Sequence, residues 1–211
     1  MRNCILTVLL TGSISLSAQN HFIGVKGGYG WTTTSAAFLD PEPQQNNSFG
    51  VVYDFAMRNK TILGAELLFE QRGFDSGLIF GDILKLHYDY HYVTLPLKVG
   101  YSLGEKFFAF GNIGVIPAIL IKAETDMLVY NQALRFDDST VTITDRISKF
   151  DFGGLAEIGI GIKAGKRLCI SSALRYQQSF TTLTTDKYYS SHRITSSGVF
   201  LNFIFKYNIF Q

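Results

Sequence analysis

The sequence predicts an all-β fold, an antiparallel transmembrane β-barrel of about eight strands. Three observations predict it. The last stretch, GVFLNFIFKYNIFQ, places Val199, Leu201, Phe203, Phe205, Tyr207 and Ile209 at every second position, with Asn202, Lys206 and Asn208 between them. Strand side chains alternate between faces, so this segment has one apolar face and one polar face. The same pattern recurs upstream about seven times, and about ten residues per strand cross a bilayer when tilted. The connections between these segments also alternate in length. Short periplasmic turns and longer extracellular loops are the asymmetry of outer-membrane barrels.

Residues 1–18 read as a cleaved signal peptide. Arg2 gives a positive start, Ile5 to Leu10 with Ile14 and Leu16 an apolar centre, and Ser15, Ser17 and Ala18 a small-residue end. Cleavage after Ala18 leaves 19–211 as a single transmembrane β-barrel domain. The apolar run is too short for a membrane anchor and is broken by Thr11, Gly12 and Ser13. Cys4 lies near the start of the leader, away from any cleavage point, which argues against a lipoprotein. Cys169 is then the one cysteine of the mature chain, and no intrachain disulfide can form. With both ends of an even-stranded barrel on one side, the mature termini are expected in the periplasm.

Composition fits this class. The chain holds 18 Phe, 11 Tyr and 20 Gly but only 4 Pro, a balance suited to strands and interfacial aromatic belts. Removing Arg2 leaves 18 basic against 17 acidic residues, a net charge of +1. No concentrated basic patch follows, and nucleic acid is excluded as a partner.

In chain order, the first strand runs from about Phe22 to Thr32, with Ile23, Val25, Tyr29 and Trp31 opposite Gly24, Lys26, Gly28 and Gly30. Glycines on the charged face let neighbours fit inside a narrow barrel. Residues 33–48 read as a long polar loop. The second strand, Phe49 to Met57, sets Phe49, Val51, Tyr53 and Phe55 against Asp54, and residues 58–61 turn the chain. The third, Ile62 to Arg72, opposes Leu63, Ala65, Leu67 and Phe69 to Glu66, Glu70 and Arg72. Residues 73–86 form the second long loop. The fourth strand spans roughly His87 to Tyr101, and Pro96 within it calls for a bulge, because proline removes a ladder hydrogen bond.

The fifth strand, Phe107 to about Leu120, changes parity between Phe108 and Phe110 on one side and Ile113 and Val115 on the other, which calls for a register change. Residues 121–149 form the longest loop, in which VTITDR extends the strands as a hairpin. The sixth strand, Phe150 to Lys163, opposes Phe150, Phe152, Ala156, Ile158, Ile160 and Ile162 to Asp151, Glu157 and Lys163. The seventh, Arg167 to Phe180, opposes Leu168, Ile170, Leu174 and Tyr176 to Ser171, Arg175 and Gln177. A last polar loop, 181–192, leads to the closing strand.

Alternation alone also suits a soluble, lipocalin-like barrel. Two features place lipid outside. The polar face carries charges of both signs, which are expected to pair as a lumen charge network of Lys26, Asp54, Glu66, Glu70, Arg72, Lys98, Glu157, Lys163, Arg175 and Lys206. The apolar face carries aromatics towards strand ends, at Tyr29, Trp31, Tyr53, Tyr101, Phe107, Tyr176 and Tyr207, as in the girdles at the two interfaces. Outer-membrane lipid is therefore the expected surrounding.

The segments FIGVKGGYGW, GAELLFEQRGF, YHYVTLPLKVGY and FDFGGLAEIGIGIK, with the aromatic closing strand, resemble the PorT-like outer-membrane β-barrel family. The resemblance covers almost all of the mature chain. It implies a small eight-stranded barrel in the outer membrane; the name-giving branch serves a secretion system.

The polar residues suggest three kinds of chemistry. His87, Asp89 and His91 share one parity, as HxDxH, and imidazoles with a carboxylate suit a divalent transition metal; solvated residues at a loop base are the commoner case, and no metal site is assigned. A lipid-modifying enzyme would draw on His192, Ser190, Ser191 and Asp186, but no GxSxG motif is present and sequence proximity makes no nucleophile–base pair. No catalytic residue and no cofactor are assigned. Eight strands leave a lumen just wide enough for side chains, which argues against an ion path. The leading reading is a structural or partner-docking barrel. Its partner would be another envelope protein, met through the barrel wall or through loops bearing Phe38, Leu39, Met127, Leu128, Tyr130, Leu134, Tyr188 and Tyr189. A secretion or envelope-assembly complex is its most concrete form.

Overall fold

A computed structural model of the chain describes residues 20–35, 41–76, 84–130, 136–165, 167–183 and 194–209, and side chains among them except at 84, 85, 127–130 and 136–139. The leader, with the predicted cleavage point, lies outside the described residues.

Ten strands form: β1 (Asn20–Thr34), β2 (Pro41–Ala56), β3 (Thr61–Ser76), β4 (Leu84–Thr94), β5 (Leu97–Gly104), β6 (Phe107–Tyr130), β7 (Phe136–Thr142), β8 (Phe150–Ala164), β9 (Leu168–Ser179) and β10 (Ser196–Asn208). Each sequential neighbour in the ring pairs antiparallel, and β10 pairs back onto β1 from Phe22↔Asn208 to Thr34↔Ser196. The sheet therefore closes and has no free edge around the ring. β4 and β5 follow one another along a single stave between β3 and β6, and β7 lies beyond the ring, paired only to the far part of β6. The ring thus has eight staves.

The short connections β2–β3, β5–β6 and β8–β9 lie at the end that also holds the described termini. Lys60 (φ 68°), Gly104 (φ 103°) and Gly165 (φ 74°) turn the chain there through left-handed backbone. The long connections lie at the opposite end. No helix is long and apolar enough to cross a membrane; the crossing elements are strands.

Side chains alternate throughout. In β10 the even-numbered residues from Ser196 to Asn208 are buried, while the odd-numbered ones from Val199 to Tyr207 are exposed. The exposed set around the ring is apolar, including Phe107 (71%), Ile160 (70%) and Ile158 (67%), and all seven aromatics expected on the outer face are exposed. A barrel whose outside is its most apolar surface is built for lipid contact.

Four local expectations change. Pro96 causes no bulge: Thr94↔Ala118 and Leu97↔Val115 keep one register, and so do Leu68↔Thr94 and Ala65↔Leu97 on the other side. Leu95 N–H still donates to Pro117 and the Pro96 carbonyl still accepts from Glu66, so the ladder only skips a rung. β6 needs no register change between Phe108 and Val115, because Phe108 and Phe110 point inward and its pairing with β8 is continuous. Its irregularity comes at Ile121, where the pairing with β4 slips between His91 and Tyr92 and the inward parity moves to Ala123 and Thr125.

The polar stretches 41–48, 73–76, 84–86 and 121–130 are strand, not loop. There Asn46 donates to Thr32 Oγ1 at 2.7 Å, and tertiary pairing overrides weak strand propensity. The hairpin expected within 121–149 is formed by β6 and β7, while Thr144–Arg146 of VTITDR makes a single 3-10 turn.

Candidate functional site

The strand alternation that turns apolar side chains to lipid sends the remaining ones into a narrow interior, which is layered along its axis. Near the short turns, Val52, Phe108, Phe110, Cys169, Ala173 and Ile204 form an apolar layer. At the long-loop end Phe74, Tyr90, Tyr92 and Leu120 pack with Ile147, Leu183 and Ile194, which come from the connecting segments. Those segments fold across the mouth and are tied down by backbone bonds, with Leu183 N–H donating to Ile194 and Ser148 N–H to Leu183, both at 2.8 Å.

Between these layers lie the charges. Glu66 and Glu157 stand at the centre with Lys26, Lys98 and Arg175 around them. Arg175 Nη2 donates to Glu66 Oε2 (2.5 Å) and Glu157 Oε2 (2.9 Å), and Lys98 Nζ bridges Glu66 Oε1 (2.6 Å) and Glu157 Oε1 (2.9 Å). Lys26 Nζ reaches Glu157 Oε2 at 3.0 Å and Glu66 Oε2 at 3.2 Å, and Asn112 donates to Glu157 Oε1 at 2.8 Å. All five charged side chains are buried. Three cations face two carboxylates, and every carboxylate oxygen accepts at least two bonds, the condition under which buried charge is tolerable.

A second group sits nearer the long loops. Arg72 Nε donates to Glu70 and its Nη1 to Asp151, both at 2.5 Å, while its guanidinium lies 4.8 Å from the Tyr92 ring centroid. Gln177 donates to Glu70, and Ser179 and Thr181 donate to Asp151. The third is the Lys206–Asp54 pair at 2.7 Å, on the short-turn side. Two voids, one beside the Arg72 group and one between the central group and the Lys206–Asp54 pair, measure about 10 Å³ each, room for a single water.

Of the ten charges expected in the lumen, nine fall into these three groups. Lys163 does not: it is exposed at the short-turn mouth, its Nζ 6.0 Å from the Phe108 ring centroid. The last residue of a strand's inward parity reaches past the wall into the mouth. Asp151, Asn112, Gln177, Ser179 and Thr181 complete the groups; alternation alone sets Asp151 and Gln177 on the polar face but not in the expected network, and Asn112, Ser179 and Thr181 carry no charge to mark them. Asp151 shares the inward parity of Glu157, which was the available signal.

The HxDxH residues part company. On the outer face of the long-loop end, His87 Nδ1 is 2.5 Å from Asp75 Oδ1 and its Nε2 3.1 Å from Asp89 Oδ2, while Gln44 Nε2 donates to Asp89 Oδ1 at 2.6 Å. His91 stacks on Phe69 instead, with centroids 5.7 Å apart. Hydrogen bonds to Asp89 and Asp75 outweigh partial burial and push His87 up to about 9. Burial pushes Asp89 upward, but the bonds from His87 and Gln44 prevail and hold its carboxyl below the usual range. Among the described residues no group of three or more His, Cys, Asp and Glu side chains is arranged as metal ligands. Asp186, Ser190, Ser191 and His192, and with them Phe38, Leu39, Leu134, Tyr188 and Tyr189, lie outside the described residues, as do the side chains of Met127, Leu128 and Tyr130.

A closed antiparallel ring with an apolar outside and a filled polar inside defines a small membrane barrel. The chain belongs to the outer membrane protein β-barrel domain family, whose model matches residues 17–185. It is similar in structure to the outer membrane protein OprG of Pseudomonas aeruginosa at 12% identity, over 92% of this chain and 98% of that one, with a TM-score of 0.52. Weaker likenesses include Ail, the attachment invasion locus protein of Yersinia pestis, solved with the heparin analogue sucrose octasulfate (11% identity, 88% and 98% covered, TM-score 0.45). Neisserial surface protein A is similar at 8% identity (87% and 95% covered, TM-score 0.46). At these identities the likeness is one of fold. No curated protein sequence matches the chain. The staves of the ring are transmembrane and the barrel resides in the outer membrane.

Proposed function

We propose that this barrel serves a structural or docking role, as a sealed outer-membrane platform for another envelope protein, and that it conducts nothing. The observation that carries the reading is the filled interior: a hydrogen-bonded charge network between two apolar layers, one of them sealed by Ile147, Leu183 and Ile194 from the connecting segments. A conducting lumen needs continuous water, and the apolar layers interrupt it. In this reading residues 1–18 are removed on export, 19–211 form the domain, the short turns and both termini face the periplasm, and the long loops face outward. The resemblance to the PorT-like family supports a docking role of this kind, whose most concrete form is an accessory subunit of a secretion or envelope-assembly complex. Catalysis is no part of this role.

The test is co-purification from gently solubilised outer membranes through a tag inserted between Ser35 and Pro41, a connection at the long-loop end, combined with planar-bilayer recording of the purified barrel. A stoichiometric envelope partner and a silent bilayer are expected. Steady conductance steps overturn the sealed lumen, and recovery of the barrel alone overturns the docking role.

A further inference from the structure

The short-turn mouth of the barrel is a blind cavity of about 110 Å³ whose floor is the Phe108 layer. Its lining is amphiphilic. Phe22, Phe108 and Ile62 supply apolar wall, and three lysines, Lys60, Lys163 and Lys206, contribute positive charge against the one carboxylate, Asp54, among the described residues of the lining. Lys206 is 92% buried by its 8% exposure, and its ammonium makes one hydrogen bond, to Asp54 Oδ2 at 2.7 Å. An ammonium has three donors. The other two have no partner among the described residues; the ammonium lies 5.9 Å from the Phe110 ring centroid and lines both this cavity and the small void behind it. Lys60 and Lys163 are exposed at the rim with no acidic partner among the described residues. Among the described residues the other two buried lysines, Lys26 and Lys98, each meet two carboxylates.

We infer that this mouth is a binding site for a small organic monoanion, a carboxylate carried on a short apolar or aromatic body. The carboxylate accepts the free donors of Lys206 and the rim charge of Lys60 and Lys163, and the body lies against Phe22 and Phe108. The space is comparable to the roughly 150 Å³ cavity that takes benzene, and being open at the mouth it accommodates a ring with one substituent. A phosphate dianion fits less well, because the cost of stripping its water rises with the square of the charge while its attraction to the site rises only in proportion to it, and the Phe22 and Phe108 wall offers no replacement for that water. The site lies at the opposite end from the long loops, and binding to it requires no particular orientation of the barrel in the membrane.

Calorimetric titration of the folded barrel in a non-ionic detergent tests this with benzoate, phenyl phosphate, benzylammonium and benzyl alcohol as probes. Benzoate is expected to bind saturably at one site, more tightly than phenyl phosphate, while benzylammonium and benzyl alcohol show only the partitioning that empty micelles show. The double variant Lys60→Gln/Lys163→Gln alters exposed side chains only, so it should retain the fold, which heat-modifiable gel mobility checks, and weaken benzoate at least tenfold. Slower modification of Cys169, which lines the cavity, in the presence of benzoate gives an independent readout of place. Equal binding of charged and neutral probes, no saturable benzoate binding, or unchanged affinity in the double variant overturns the proposal. Tighter phenyl phosphate overturns its assignment to carboxylates.

Discussion

Glu66 and Arg175 meet across the barrel interior at 2.5 Å although 109 residues separate them, and the same Nη2 also reaches Glu157. Glu157 lies directly opposite Arg175 in the β8–β9 ladder, whereas Glu66 comes from β3 on the far wall. One guanidinium thus ties opposite staves of the barrel together. The charge count around it decides which substitution hurts more. Glu66→Gln leaves Lys26, Lys98 and Arg175 against Glu157 alone, an uncompensated buried charge that costs about 3–5 kcal/mol. Arg175→Met leaves two lysines against two glutamates, and the loss is expected to be smaller. Urea titrations of folding into lipid vesicles measure both, and an equal or larger loss for Arg175→Met contradicts the charge-balance account.

Gly64 stands where two of these pairs pass the wall of β3. A Cβ built there lies 2.7 Å from Asp54 Oδ1 and 2.7 Å from Lys98 Cε, both in the crowded interior. Overpacking of this kind costs roughly 1–3 kcal/mol. Gly64→Ala is expected to lower folding stability by that amount in the same assay. Gly27→Ala, where a Cβ meets nothing within 4 Å, is expected to be neutral.

The alternation of side chains made the eight staves and the inward parity of residues such as Lys26 and Glu157 legible, because a period of two is a local property of the chain. Which inward charges meet was not legible. The contact of Glu66 with Arg175 depends on the stagger between strands around the whole ring. The Ile121 irregularity was equally hidden, since a slip against β4 is a property of two strands and leaves no mark in either. The polar residues 41–48 looked like loop because Gln and Asn have weak strand propensity, and only the neighbouring strands reveal that Asn46 has a partner in Thr32. The departure of His91 from His87 follows from packing: Phe69 lies beside it.

Leu183 anchors the cover of the long-loop end, 3% exposed and bonded through its backbone on both sides. Its contacts are to Ile147, Ile194 and the inner aromatics, none of them part of the central charge network. Leu183→Ala is expected to loosen the cover locally by about 2–3 kcal/mol while the barrel staves stay folded. Faster amide exchange at Leu183 and Ile194, with unchanged exchange at Glu66 and Glu157, is the expected pattern. Uniform loss of protection through β3 and β8 contradicts it.

His87 gives the long-loop end a pH dependence whose direction can be worked out. The ring bridges Asp75 on β3 and Asp89 on its own strand, and Gln44 from β2 joins at Asp89. Asp126 of β6 lies opposite it in the ladder, so carboxylates approach from both flanking strands. Folding raises the imidazole from 6.5 to about 9, so the folded state binds the proton more tightly than the unfolded one. Its contribution is therefore complete below pH 6.5, declines as pH rises above that, and is gone above about 9. Asp89 acts in the opposite sense: its carboxyl is held below 3.8, and its contribution is present above 3.8 and lost as pH falls through the lower folded value. Protease nicking of the long-loop end should accordingly be slowest at mildly acidic pH and quicken as pH rises towards 9. His87→Gln cannot be charged, and its nicking rate should be faster than wild type at pH 6 and flat from pH 6.5 to 9. A wild-type rate that does not change over that interval contradicts the bridging imidazolium.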